Sequence, residues 1–242
     1  MFDREEFEIQ KSLNIDSAYA DSKLIETARR FISHSDIYMY GYNWTCLGIP
    51  IIQMPEDILL LQELVWDLKP DFVVEAGVAW GGSLVLYAMI QEMAGVGQTI
   101  GIDVTIPSHN RDVIMASPVA SRIQLVEGSS IDPMTVDTVK NQFTPESRVM
   151  IVLDSNHSHD HVFAELQIWS QFVTSGSYLI VSDTIIEHIP LQTTRPRAWG
   201  PGNNPQTAVT QFLAENLEFT CDNRFNKRAL NSFSPGGYLL KK

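Results

Sequence analysis

The chain has 242 residues, enough to bury the core of one α/β domain and to carry an N-terminal extension. With 17 basic and 29 acidic residues its net charge is −12, which argues against a nucleic-acid partner because phosphate binding needs clustered Lys and Arg. The start lacks a basic, then apolar, signal and no apolar run approaches the roughly 18 residues of a membrane span, so we expect a cytoplasmic protein without a transmembrane segment.

Residues 1–45 are expected to form a helical arm and lid in front of one larger domain at residues 46–242. Apolar positions recur at helical spacing between residues 21 and 32, behind a cap at Asp21 or Ser22. An aromatic segment over residues 38–44 follows. It either packs the arm onto the core or contacts a substrate.

Pro55 opens an apolar helix that ends near Leu68, before Pro70. From there strand-like runs alternate with helices, which predicts an α/β fold with a parallel sheet flanked by helices. The expected strands are Phe72–Glu75, Thr99–Asp103, Ile123–Val126, Val149–Asp154 and Tyr178–Asp183. The expected helices lie near Gly82–Met93, Asp132–Gln142 and Asp160–Val173, with another ending near Asn216. Leu230–Phe233 and Tyr238–Leu240 are predicted to form a strand pair around a turn.

The glycine-rich turn after the first of these strands is the most informative motif. Glu75, Gly77 and Gly81 form an E-x-G-x-x-x-G spacing, whereas dinucleotide-binding proteins use G-x-G-x-x-G to cradle a pyrophosphate. The acid suits a cationic amino-acid ligand, and the pattern is typical of S-adenosylmethionine (SAM) methyltransferases. We therefore assign five residues to cofactor binding: Glu75, Gly77, Ala79, Gly81 and Ser83.

Ligands in an open parallel sheet bind beyond the carboxyl ends of the strands, where further candidates lie. Asp103 ends the second predicted strand and is expected to accept the ribose hydroxyls of a nucleoside, although a turn-forming aspartate is an alternative. Gly128, Ser129 and Ser130 follow the third strand and are expected to bracket an adenine. The same loop could instead cap the next helix.

Three of the six histidines lie within five residues, directly after the fourth predicted strand. Asp154 and Asp183 end neighbouring strands and are expected to share one divalent ion, since two carboxylates plus water suit Mg²⁺ or Mn²⁺. Asp154 is also assigned to catalysis and cofactor contact. His157 is expected to act as the base, His161 to pack or cap, and His159 to be solvated.

A metal and a base together point to an unreactive acceptor. An aliphatic hydroxyl resembles water, whose free pKa is near ~15.7, whereas a phenol with a pKa of about 10 needs less activation. The combination favours a sugar hydroxyl.

With these motifs the chain resembles the cephalosporin hydroxylase/rhamnosyl O-methyltransferase family of SAM-dependent, metal-using methyltransferases. The likeness spans about residues 45–240 and is carried by residues 74–83, 153–158, 181–184 and 199–205. It implies a Rossmann-like class I methyltransferase fold, with a mostly parallel seven-stranded sheet and helices on both faces. It also implies SAM bound by the first turn and Asp103, Mg²⁺ at the tips of strands four and five, and His157 as the base.

One position departs from the family pattern. Metal sites of this kind commonly carry two adjacent oxygen ligands after strand five, whereas this chain has Ser182 before Asp183. A water, Thr184, Glu187 or a one-residue shift would have to supply the third ligand.

The loop over residues 184–204 is long and irregular, which favours a lid. Within it, Arg195 and Arg197 could meet a charged acceptor or be solvated. Asn203 and Asn204 could line an acceptor pocket or cap the following helix.

The leading hypothesis is a SAM-dependent, metal-assisted O-methyltransferase acting on a sugar hydroxyl of a glycolipid, polysaccharide or glycosylated natural product. A catechol-type O-methyltransferase is an alternative, because Trp44, Trp80 and Trp199 could wall a flat acceptor. A non-catalytic SAM-binding scaffold is another, given Ser182. A homo-oligomer is left open.

Overall fold

The computed structural model describes residues 3–193 and 195–242, so Thr194 of the expected lid and the first two residues of the expected arm lie outside it. Its strands are β1 (Trp44–Cys46), β2 (Ile49–Ile51), β3 (Phe72–Ala76), β4 (Gln98–Asp103), β5 (Ile123–Glu127), β6 (Val149–Leu153), β7 (Tyr178–Val181), β8 (Phe219–Cys221) and β9 (Tyr238–Lys241). β1 and β2 form a small hairpin. The others form one sheet in the order β5-β4-β3-β6-β7-β9-β8, antiparallel only where β9 meets β7 and β8. The expected mostly parallel seven-stranded sheet is confirmed.

Helices cover both faces of this sheet, as expected. They are α1 (Arg4–Ala20), α2 (Ser22–Ser35), α3 (Pro55–Leu68), α4 (Gly82–Ala94), α5 (Ser108–Met115), α6 (Pro133–Lys140), α7 (His159–Trp169), α8 (Pro205–Glu215) and α9 (Asn223–Arg228). Because successive strand residues face opposite sides, Val73 joins the core beneath α3 and α4 while Val74 joins the core beneath α6, α7 and α8. Within the described residues, no helix combines the length and apolarity needed to cross a bilayer.

The parallel register determines where the functional loops emerge. Ala76 pairs with Leu153, and Leu153 pairs with Val181, so β3, β6 and β7 end side by side. The loops that follow these strands therefore meet at one edge of the sheet.

The N-terminal arm is held mainly through α2. Asp21 caps this helix by accepting hydrogen bonds from the backbone N–H groups of Lys23 and Leu24, at 2.9 and 3.2 Å. α2 buries Ala28 and Ile32, whereas α1 buries no residue. Of the two arm helices, only α2 therefore contributes to the core. Two aromatic side chains after it also pack there, Tyr40 and Trp44.

The C-terminal strand pair was predicted with the wrong partner. β9 pairs with β7 and with β8, a strand that the sequence analysis missed. Leu230–Phe233 is irregular because buried Asp57 of α3 takes its polar groups: Ser232 Oγ donates to Oδ1 at 2.5 Å and Phe233 N donates to Oδ2 at 2.7 Å. The N–H that a strand ladder would use is therefore already bonded.

Candidate active site

The turn between β3 and α4 has the tight backbone that the glycine spacing predicts. Gly77 has a φ of 103° and Gly81 a φ of 88°, in the left-handed region that favours glycine. Ala79 lies between them with a φ of 46°, where a Cβ is strained. Such strain concentrates where a loop must hold a particular shape, commonly at ligand sites.

Glu75 lies on β3 beneath this turn, almost completely buried. Ser83 Oγ donates to its Oε1 at 2.8 Å, while Oε2 has no hydrogen-bond partner among the described residues. Burial raises the pKa of Glu75 to about 8, although the Ser83 hydrogen bond opposes the rise. Gln53 was not predicted from the sequence. Its Oε1 atom is also buried and unpaired, and Gln53 and Glu75 line one cavity. Within the described residues the buried Tyr87 hydroxyl also lacks a hydrogen bond of good geometry, and it interacts with both side chains, so the three groups together favour a polar ligand.

A second carboxylate supports the turn from the neighbouring strand. Asp103 Oδ2 accepts hydrogen bonds from Val78 N at 2.9 Å and Ala79 N at 3.3 Å, and Oδ1 accepts one from Thr105 N at 3.3 Å. Asp103 therefore shapes the turn in the way that the turn-forming alternative describes. Its carboxylate is also half-exposed at the sheet edge, where a nucleoside would approach.

The metal candidates after β6 and β7 come together. Potential ligand atoms of Asp154, His157 and Asp183 all lie within 4.8 Å of one another, and His157 Nε2 is 3.1 Å from Asp183 Oδ2. Asp183 has a φ of 58°, a left-handed conformation that aspartate tolerates better than most residues. β7 ends at Val181, and this turn places the Asp183 carboxylate two residues after the end of the strand.

The environment of these acids disfavours two neighbouring negative charges. Loss of hydration and the nearby Asp183 carboxylate raise the pKa of Asp154 well above its ordinary value. A divalent cation would reverse this preference, since it stabilises both carboxylates as anions. The two carboxylates, completed by water, form an oxygen donor set that suits Mg²⁺ or Mn²⁺, whereas imidazole is a ligand more typical of Zn²⁺, Cu²⁺ or Fe²⁺.

Neither protein side chain proposed as a third oxygen ligand belongs to this group. Thr184 Oγ1 donates to Pro235 O at 2.8 Å. Glu187 Oε2 accepts hydrogen bonds from Gly202 N at 2.8 Å and Asn204 Nδ2 at 2.5 Å, which hold the pKa of Glu187 below its usual range. Glu187 thus ties the loop after β7 to the start of α8.

One cavity of about 270 Å³ connects the glycine turn with the acidic group. From the predicted site residues it includes Glu75, Gly77, Ala79, Gly81, Ser83, Asp154, His157 and Asp183. Asp103 and the loop over residues 128–130 do not line it. We call this space the reaction cavity.

The loop expected to form a lid covers the reaction cavity and contacts the arm. Arg195 pairs with Asp36 and donates to the Tyr42 hydroxyl at 3.1 Å. Arg197 lies over the ring of Trp199, and that ring meets His157 edge to face at 5.0 Å. Both arginines line the cavity, but only Arg195 is partly buried and paired, whereas Arg197 remains exposed to solvent.

The arm also contributes to this wall. Tyr42 belongs to the aromatic segment for which a substrate contact was one alternative, whereas Asp36 was not predicted because an acid at the end of a helix carries no periodic signal. Among the three tryptophans suggested for a flat acceptor, Trp80 and Trp199 line the cavity, whereas Trp44 packs against Tyr40 at 5.5 Å.

A second polar cluster joins the loops after β5 and β6. Glu165 of α7 is fully buried, and its Oε1 accepts hydrogen bonds from Ser130 Oγ at 2.5 Å and Ser155 Oγ at 2.6 Å. His161 Nε2 lies 3.4 Å from the same oxygen, consistent with a packing role. Ser130 is therefore committed to Glu165, and Asp132 caps α6 through Thr135 N at 3.2 Å.

His159 was wrongly expected to be solvated. Its ring contacts Thr207 Oγ1 at 2.8 Å and Gln211 Oε1 at 3.0 Å, and it stacks on Phe163. These contacts join α7 to α8. Asn204 makes the capping box that begins α8, which supports the capping alternative for this residue.

Comparison with known proteins agrees with this geometry. The family model for Rhamnosyl O-methyltransferase/CmcI matches residues 37–242. The rhamnosyl O-methyltransferase of Mycobacterium tuberculosis is 30% identical over 207 residues, covering 81% of this chain and 78% of the relative.

Solved structures show the same fold at lower identity. CmcI with Mg and SAM superposes with a TM-score of 0.57 at 19% identity, covering 83% of this chain and 77% of that one. An O-methyltransferase from Bacillus cereus in complex with SAH (S-adenosylhomocysteine) gives 0.51 at 14% identity, covering 81% and 80%. The family match covers most of the chain, including the glycine turn and the acidic group, but it begins after Asp36 in the wall of the reaction cavity. The chain belongs to the rhamnosyl O-methyltransferase/CmcI family.

Proposed function

We propose that this protein transfers the methyl group of SAM to a sugar hydroxyl of a glycosylated acceptor, with the assistance of Mg²⁺ or Mn²⁺. The observation that carries the proposal is the group of Asp154, His157 and Asp183 within 4.8 Å, in one cavity with the glycine turn. When bound, SAM supplies an electrophilic methyl group and the divalent ion supplies Lewis acidity. The family name and the rhamnosyl relatives support the sugar as acceptor.

The cavity suits the amino-acid end of SAM. Glu75 Oε2 and Gln53 Oε1 are buried, unpaired acceptors that fit a ligand ammonium group. Gly77 and Gly81 allow the turn to adopt positive φ angles and to pack closely against Asp154 and Ile114, which fixes its shape on the cavity wall. We assign the ribose hydroxyls to Asp103 and the adenine to the loop containing Gly128, Ser129 and Ser130, at the adjacent strand ends.

The acidic group suits a hard divalent ion. Asp154 and Asp183 would hold it through oxygen, with water completing the coordination shell as Mg²⁺ usually requires. His157 lies close enough to be a third ligand, but we assign it to proton transfer because an aliphatic alcohol must lose its proton during methylation. Since Nε2 faces the Asp183 carboxylate and donates its hydrogen there, the other ring nitrogen of His157 accepts the proton of the alcohol, and the carboxylate stabilises the resulting imidazolium.

The wall of the reaction cavity determines how the acceptor is oriented. Trp199 offers a ring face or edge beside His157, and Arg195 has an Nε without a partner among the described residues. A sugar presents both apolar C–H faces and hydroxyl acceptors, so it can use both groups. The lid also excludes water, which strengthens the local electrostatic interactions.

An acceptor screen tests this proposal. The protein is incubated with methyl-labelled SAM and either methyl α-L-rhamnoside or catechol, each with Mg²⁺ or with EDTA. We expect label in the rhamnoside only when Mg²⁺ is present. Methylation of catechol alone would show that the acceptor is a phenol hydroxyl and not a sugar hydroxyl. Undiminished methyl transfer in EDTA would contradict metal assistance.

A further inference from the structure

A second and larger space lies beside the reaction cavity, between α2 and the main domain. It has a volume of about 1750 Å³. We call it the arm cleft, and define it by residues from both of its walls: Ile25, Tyr38, Ile185, Pro190, Leu230 and Pro235. None of the site assignments made above uses this space.

The arm cleft lies next to the reaction cavity, because Ser35 of α2 and Ile185 after β7 line both spaces. The 3-10 turn Thr184–His188 forms the partition: Ile186 lines the reaction cavity, whereas His188 lines the arm cleft. This partition begins directly after Asp183, so a molecule whose reacting group reaches the acidic site could extend into the arm cleft.

The two volumes indicate how an acceptor would be divided between them. The reaction cavity holds about 270 Å³, near the lower limit of roughly 300 Å³ for small-molecule pockets. A sugar beside the SAM methyl group leaves little room there for anything attached to that sugar. The arm cleft exceeds the usual upper limit of about 1,000 Å³ and can accommodate a bulky attached group.

The walls of the arm cleft carry large apolar side chains among polar ones. On the arm side, Phe31, Ile37 and Tyr38 expose 43%, 52% and 75% of their surfaces. On the domain side, Ile185 and Ala229 provide a buried apolar floor. A contiguous set of exposed large apolar side chains is typical of a binding surface.

The charged groups around the cleft do not select for one sign of charge. Two basic residues, Arg29 and Arg30, and two acidic residues, Glu26 and Glu187, line the cleft. Burial lowers the pKa of His188, and Arg29 lowers it further, so this histidine is neutral at neutral pH. The lining therefore favours a ligand that binds through van der Waals contact rather than through ion pairs.

We propose that the arm cleft binds the apolar aglycone to which the acceptor sugar is attached. This inference rests on the proposed function, because the sugar is what places the aglycone at the boundary between the two spaces. It makes the arm a specificity element: α2 and the turn after it would recognise the body of the acceptor while the acids recognise its reacting hydroxyl.

Binding isotherms separate the aglycone from the sugar. Methyl and octyl α-L-rhamnoside are titrated calorimetrically into protein saturated with S-adenosylhomocysteine and Mn²⁺, with the octyl compound kept below its critical micelle concentration. We expect octyl rhamnoside to bind at least about tenfold more tightly, since burial of several methylene groups favours association. Equal affinities for the two glycosides would overturn the assignment.

Variants locate the effect. Ile25→Gln and Tyr38→Ser should remove most of the octyl preference and leave methyl rhamnoside binding unchanged, and Tyr38 is exposed enough for its variant to keep the fold. Leu24→Gln is the matched control, because Leu24 is a neighbouring, 39% exposed residue of α2 that does not line the cleft. An octyl preference that survives both cleft variants would contradict the proposal.

Two further outcomes distinguish the possible failures. Octyl-selective binding without methyl transfer would support the aglycone site and contradict the proposed function. Analytical ultracentrifugation of the same variants tests whether a second copy of the chain occupies the cleft. If Ile25→Gln converts an oligomer to a monomer, and the wild-type protein binds both glycosides equally, the aglycone assignment is overturned.

Discussion

The backbone carbonyl oxygen of Asp154 lies only 2.1 Å from the position that a Cβ on Gly77 would occupy. The cofactor turn and the metal loop are thus in direct backbone contact, and Asp154 N also donates to Ala76 O at 2.8 Å. Gly77→Ala must separate the two loops and place alanine at a φ of 103°. We predict loss of SAM binding and of Mn²⁺ binding together, measured by calorimetry.

Gly176 provides the control for this substitution. It also has a positive φ, of 79°, but a Cβ there meets nothing within 4 Å. Gly176→Ala should therefore retain both binding activities despite its backbone strain. Normal SAM binding by Gly77→Ala would show that the close approach between the loops is not required.

Glu75→Gln is predicted to stabilise the free protein while weakening SAM binding. The raised pKa of Glu75 means that the folded protein holds a proton that the unfolded chain releases, so the free energy of unfolding decreases as pH rises from about 4.5 to about 8. Glutamine is neutral and removes that decrease, so the variant should gain stability at pH 8. It cannot offer the charge that a ligand ammonium needs.

Urea unfolding at pH 5 and pH 8, combined with SAM calorimetry, checks this opposite behaviour. The stability gain should be larger at pH 8 and the affinity for SAM at least about tenfold lower. A purely structural Glu75 would move stability and binding in the same direction. Unchanged SAM affinity would remove Glu75 from the cofactor site.

His157→Ala is predicted to lower kcat by roughly 10²- to 10⁴-fold, the usual contribution of a general base. Mn²⁺ affinity should change little if His157 moves a proton and does not coordinate the ion. Single-turnover kinetics with methyl α-L-rhamnoside and a Mn²⁺ titration give both quantities. His34→Ala, at an exposed histidine outside the reaction cavity, is the control. Loss of Mn²⁺ binding in His157→Ala would instead identify a metal ligand.

Glu165 is predicted to position the nucleoside-side loops. Glu165→Ala removes the acceptor for Ser130 and Ser155 and should lower stability by about 1–3 kcal/mol, the usual effect of leaving buried hydroxyls unpaired. It should raise the KM for SAM more than it lowers kcat. Glu165→Gln keeps an acceptor oxygen and should restore most of the SAM affinity; failure of this rescue would indicate a requirement for charge.

The sheet and the acidic group could be predicted because both depend on local patterns and on one topological rule. Apolar runs ending in Asp or Glu define the strands, and parallel strands deliver their carboxyl ends to one edge. Asp154 and Asp183 are 29 positions apart in sequence, yet the pairing of Leu153 with Val181 brings them together. The strand order of this fold was thus enough to predict that Asp154 and Asp183 are neighbours.

Long-range contacts between single residues could not be predicted in the same way. The Arg195–Asp36 ion pair and the Ser130–Glu165 hydrogen bond each join residues with no shared periodicity. The irregular course of Leu230–Phe233 depends on Asp57, a buried acid far away in the sequence. Such pairings follow from packing of the finished fold, which a single sequence does not encode in any local signal.

The claim at the centre of this account is that Asp154 and Asp183 hold one divalent ion. Electron paramagnetic resonance during Mn²⁺ titration, with S-adenosylhomocysteine present, measures it directly on the wild-type protein, Asp154→Asn, Asp183→Asn and the control Asp137→Asn, at an exposed residue of α6 outside the reaction cavity. We predict one saturable site per chain, at least about tenfold weaker in the first two variants and retained in Asp137→Asn. Unchanged Mn²⁺ affinity in both Asp154→Asn and Asp183→Asn would contradict the account.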